Sequence, residues 1–99
     1  MVTSTVHVVA RIRARANRVA ETRQALLALV EPTRAESGCR TYRLLQSRSD
    51  PSDFTFVEEW SGDAAIDAHM GTAHVARVLA RAEELLAEPP FIGRYDLLA

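Results

Sequence analysis

Val6, Val8, Ala10 and Ile12 alternate with His7, Val9, Arg11 and Arg13, and this is the feature that most constrains the fold. A two-residue period marks a strand with one face on a core, because successive side chains leave a pleated backbone on opposite sides. Phe54-Thr55-Phe56-Val57-Glu58-Glu59-Trp60 repeats the pattern with larger side chains. Before it, Asp50-Pro51-Ser52-Asp53 reads as a turn, and Arg40 to Ser47 carries Tyr42 and Leu44 on one face. These two segments predict a hairpin.

Between the first strand and the hairpin, Asn17 is a candidate N-cap. Val19, Leu26, Leu29, Val30 and Thr33 then recur at helical spacing up to Gly38, with Pro32 expected to kink the helix or tighten its last turn. After the hairpin, Ser61 is expected to cap a short helix through Met70, and Thr72 a longer one with Val75, Val78, Leu79, Ala82, Leu85 and Leu86 as its stripe. Pro89-Pro90 ends the helical region, and Phe91 to Leu98 is strand-like, with Gly93 marking a bulge or a close approach of another backbone. The order β-α-β-β-α-β predicts an α+β, ferredoxin-like fold: a four-stranded antiparallel sheet with helices on one face. Val9 and Val57, with either Ile92 and Leu98 or Phe91 and Leu97, then point to the opposite face, and a symmetric homodimer packed sheet to sheet would cover them.

Ninety-nine residues, 47% apolar and 25% charged, suit a single domain over 1–99. Twelve basic against thirteen acidic residues give a net charge of −1, which argues against nucleic-acid or anionic-membrane partners. Every basic residue is Arg, and Ala is abundant, as in a GC-rich bacterial coding bias. Cys39 is alone, which excludes an internal disulfide and fits a reducing compartment. The first residues lack the basic and apolar segments of a secretory leader, and no stretch reaches 18 apolar residues, so the chain is read as cytoplasmic.

The chemistry concentrates in a few side chains. His69 lies three residues after Ile66, so its ring is expected to point inward at the C-terminal end of the short helix, where the helix dipole favours an imidazolium. Imidazole accepts protons near neutral pH, which makes His69 the candidate base. Glu58 shares a strand face with Phe54, Phe56 and Trp60, and either pairs with Arg11, Arg43 or Arg94 or serves catalysis. His74 follows His69 by five residues with Gly71 between, a spacing that does not put two ligands on one helical face, so no metal is expected. His7 shares its face with Val9 and Arg11 and is read as a packing residue. No phosphate-binding glycine loop, Ser-His-Asp order or flavin or nicotinamide motif is present, so no cofactor is expected.

The segments Glu36-Ser37-Gly38-Cys39-Arg40-Thr41-Tyr42, Phe56-Val57-Glu58-Glu59-Trp60, Ala64-Ala65-Ile66-Asp67-Ala68-His69-Met70 and Thr72-Ala73-His74 together resemble the antibiotic biosynthesis monooxygenase domain family. The resemblance implies a dimeric α/β barrel of ferredoxin-like subunits. It also implies an activity among cofactor-independent monooxygenases that oxidise anthrones or quinols with molecular oxygen, signal-molecule isomerases and haem-degrading enzymes. The haem-degrading pattern of Asn, Trp and His meets Ala10, His69 and Leu79 here, which leaves no iron ligand in that manner. The reading that follows is oxidation of an electron-rich phenol, anthrone or quinol by oxygen. In it His69 is the base or a hydrogen-bond partner of the phenolic oxygen, Glu58 orients or charge-balances it, and Tyr42, Phe56, Trp60 and His74 bind substrate. A small-molecule isomerase and a non-catalytic binding dimer are the alternatives.

Overall fold

The two alternating segments become the central pair of one sheet. In the computed structural model, which describes residues 5–99, the chain runs β1 (Val6–Arg13), α1 (Val19–Leu27), α2 (Val30–Arg34), β2 (Cys39–Gln46), β3 (Asp53–Trp60), α3 (Asp63–Met70), α4 (Ala73–Leu79), α5 (Ala82–Leu85) and β4 (Phe91–Tyr95). All strand pairs are antiparallel, in the order β2-β3-β1-β4, which is the expected ferredoxin-like topology. The leader reading of Met1–Ser4 lies outside the described residues. Among the described residues, no helix is long and apolar enough to cross a membrane.

Register decides which side chains share the core. Val8 lies opposite Glu58, Ala10 opposite Phe56 and Ile12 opposite Phe54, and all six are buried. Leu26 and Leu29, Ile66, Val75, and Leu85 and Leu86 cover them from the helical side. The other face is dressed by Leu45, Val57, Phe91 and Tyr95, all exposed. Because Phe91 pairs with Arg11 and Gly93 with Val9, it is Phe91 rather than Ile92 that shares Val9's face. Gly93 has no bulge around it. Its missing side chain makes room for the Tyr95 and Phe91 rings, which a β-carbon there would overlap.

Several expected helix bounds are corrected. The first helical region is two helices, and α1 stops at Leu27 because the Pro32 ring has no room for the carbonyl four residues earlier, at Ala28. Arg18 rather than Asn17 precedes α1, and Gly62 rather than Ser61 precedes α3. Thr72 does cap α4, accepting from Val75 N–H at 3.4 Å. The long final helix breaks at Ala80-Arg81, and β4 ends at Tyr95, leaving Leu97 and Leu98 exposed beyond it.

Candidate functional site

Strand alternation places Glu58 and Trp60 on one face of β3, two residues apart, and the indole N–H donates to Glu58 Oε1 at 2.7 Å. Trp60 is thus Glu58's hydrogen-bond partner, and among the described residues no arginine pairs with it. Arg11 and Arg43 leave the opposite face of the sheet, as the pairing of Tyr42 with Glu58 and Val8 with Glu58 requires. Arg94 instead spans Asp63 and Asp67 at 2.9 and 2.7 Å, two carboxylates four residues apart on α3. With burial acting on a carboxyl that has a single donor, Glu58 is pushed up to about 7; Trp60 opposes the shift and the charge of Glu36 adds to it. The Tyr42 phenol is likewise pushed up by burial and by Glu58, so it stays protonated.

His69 turns inward beside Ile66 as its spacing predicts, and only 6% of it is exposed. Its ring lies 4.7 Å from Trp60 and 5.7 Å from Tyr42, centroid to centroid. The carboxylate that holds it is Glu36, not Glu58: His69 Nδ1 lies 2.8 Å from Glu36 Oε2. His74 Nε2 lies 2.8 Å from the same oxygen. A carboxylate oxygen only accepts, so both rings donate to it, and His69 therefore carries a proton on Nδ1 and His74 on Nε2. In a neutral imidazole this leaves His69 Nε2 as a bare acceptor.

Gly38 makes this junction possible. A β-carbon there would collide with Ala65 and Ser61, so only glycine lets the segment after α2 lie flat against α3. Ser61 N–H donates to the Gly38 carbonyl at 2.9 Å and locks that contact. Glu36, two residues earlier, is thereby brought to a histidine 33 positions away. The helices α3 and α4 meet at Gly71, where the Thr72 hydroxyl donates to the His69 carbonyl at 2.7 Å. His69 and His74 share no helical face, as their five-residue spacing predicts, yet the turn between α3 and α4 brings both rings to one carboxylate oxygen.

Between sheet and helices lies a cavity of about 70 Å³. Its walls are apolar except for Tyr42, Glu58 and His69; Phe56, Val8, Ala10 and Leu26 are among the rest. Leu79 and Ile92, which also line it, are more than two-fifths exposed and stand at its open side. Of the side chains expected to bind substrate, Tyr42 and Phe56 reach this cavity. Trp60 does not: it is wholly buried against His69. His74 does not either, being engaged by Glu36. Cys39 opens β2 half-buried, its thiol pushed up by burial and by Glu36 and Glu58, which makes it a poor nucleophile.

The family profile described as antibiotic biosynthesis monooxygenase matches residues 5–81. A Mycobacterium tuberculosis protein whose name proposes a monooxygenase is 38% identical over 87 residues, covering 88% of this chain and 85% of that protein. A Bacillus subtilis protein similarly named is 35% identical over 69 residues, covering 70% and 73%. The crystal structure of a Pseudomonas aeruginosa protein superposes with a TM-score of 0.93 at 34% identity, covering 100% of this chain and 99% of that one.

Proposed function

From its membership of the antibiotic biosynthesis monooxygenase family, we propose that this chain is a cofactor-independent monooxygenase acting on an electron-rich phenol, anthrone or quinol. One observation carries the reading: a histidine with its Nδ1 proton fixed on Glu36 lines an apolar cavity that also holds a carboxyl poised near neutrality. His69 Nε2 removes a proton from the substrate's acidic C–H or O–H. The resulting anion gives an electron to oxygen, and the two radicals combine as a peroxide on carbon. Loss of water from an anthrone peroxide leaves a carbonyl, so one oxygen atom enters the product and the other leaves as water. Glu58, whose carboxyl burial pushes up to about 7, is suited to deliver the proton that loss of water needs. Tyr42 and Phe56 supply ring contacts, and the dry walls keep water from the anion.

The working unit in this reading is a dimer. Supporting it are Leu45, Val57, Phe91 and Tyr95, exposed together on the sheet face away from the helices. Sedimentation at micromolar concentration is expected to give twice the chain mass. Val57→Asp should shift it to monomer, since an unpaired interface charge costs several kcal/mol. A wild-type monomer would remove the dimer from the account.

Oxygen uptake by the metal-stripped protein with a panel of anthrones and hydroquinones tests the activity, with uptake above the uncatalysed rate as the expected result. Saturable binding without oxygen uptake on any of them would instead support a binding dimer.

A further inference from the structure

Glu36, His69 and His74 do more than hold a base in place. The carboxylate oxygen and two ring nitrogens that meet there lie within 4.8 Å of one another, a donor set of two imidazoles and one carboxylate. We propose that these three side chains form a site for a first-row transition-metal dication, with Zn²⁺ as its representative, and that metal and base function exclude each other. The second half of the proposal rests on the function proposed above; the first does not.

Two histidines and a carboxylate with a fourth position open is a donor set that suits tetrahedral zinc. Zinc–ligand bonds of about 2.0–2.1 Å place ligand atoms roughly 3.3 Å apart. Both nitrogens now sit 2.8 Å from Glu36 Oε2 while the set spans 4.8 Å, so to admit the ion each oxygen–nitrogen pair opens by about half an ångström and the two nitrogens close by about 1.5 Å, a shift of side-chain torsions. The backbone already holds the set: Gly38 packs the Glu36 segment on α3, and Thr72 pins the turn between the two histidines. Access is from outside. The Glu36 and His74 side chains are 16% and 17% exposed, and neither lines the cavity.

Coordination reverses the chemistry of His69. The metal takes the lone pair of Nδ1, so the ring's one proton moves to Nε2, and His74's moves from Nε2 to Nδ1. Each neutral imidazole keeps one proton, and none is lost overall. His69 Nε2, formerly a bare acceptor, becomes a donor and can no longer remove a proton from substrate. Zinc therefore acts as a reversible inhibitor bound behind the base, not as a cofactor beside the substrate.

The test uses the untagged full chain, stripped with chelator and titrated with ZnCl₂ by calorimetry, alongside ¹H–¹⁵N long-range spectra of the imidazoles. One Zn²⁺ per chain and a move of the His69 proton to Nε2 are expected. Both should be lost or weakened by at least roughly 100-fold in His74→Ala and in Glu36→Gln, more than loss of a supporting group costs. Glu36→Gln keeps the size and one acceptor oxygen, so a folding defect in the alanine variant does not decide the result. Substoichiometric binding, or equal affinity in both variants, overturns the site. Stoichiometric zinc that leaves oxygen uptake intact overturns the exclusion and the base assignment while the metal site stands, which separates the two failures.

Discussion

The cavity end of the site and its outer end each hold one carboxyl group, and the two are supported in opposite ways. Glu58 is 5% exposed, set on the middle of a strand, with Trp60 as its hydrogen-bond donor. Glu36 stands in the loop after α2, partly open to solvent, and one of its oxygens takes two imidazole N–H groups. A buried carboxyl with one donor resists ionising and becomes a group that can carry a proton at neutral pH. A carboxylate gripped by two donors becomes a fixed reference that sets which ring nitrogen of His69 is bare. His69 is the group that this division of labour serves.

Removing that group should have the largest effect. His69→Ala is expected to lower turnover on an anthrone or quinol by roughly 10²–10⁴-fold, measured on folded protein below its melting transition. Loss no greater than the unfolded fraction would make His69 a packing residue of the core. Glu36→Gln comes next, at roughly 10–10³-fold in kcat, because the amide can present an N–H where the carboxylate accepted and leave His69 in the wrong tautomer. A Glu36→Gln enzyme of full activity would break the comparison, since the outer carboxylate would then orient nothing.

Glu58→Gln should have the smallest effect on rate of the three site variants, though more than His7→Ala outside the site, and its main signature is in stability. The folded state keeps the Glu58 proton up to about pH 7, whereas an unfolded chain releases it near 4.5. Stability linked to this group is therefore full below about pH 4.5 and is lost as pH rises through 7, by roughly 1–3 kcal/mol. Gln cannot ionise and still offers an oxygen to Trp60. Urea melts from pH 5 to 8 should show the variant gaining on wild type as pH rises; parallel curves would mean that Glu58 is ionised in the fold.

The sheet and the strand-borne half of the site were legible because alternation is a local code. Val8 and Ala10, Phe54 and Phe56, Glu58 and Trp60 each announce their face through the neighbour two residues away. His69 was legible through Ile66 for the same reason at helical period. Glu36 was not, because it sits between elements where no period exists and its partners are 33 and 38 positions downstream. Its one sequence signal is the glycine two residues later, whose lack of a side chain permits the contact with Ala65. His74 was not legible as a neighbour of His69, because helical spacing carries no information across the break between α3 and α4. Gly71 marks that break in the sequence, whereas nothing at Ala80-Arg81 marks the next one.

Product isotopic composition tests the central claim most directly: metal-stripped wild type and His69→Ala, each incubated with an anthrone under ¹⁸O₂ and analysed by mass spectrometry. The account expects wild type to place one labelled atom in the new carbonyl, at a rate at least roughly 100-fold above the variant's. Unlabelled product, or label entering at equal rates in both proteins, would contradict it.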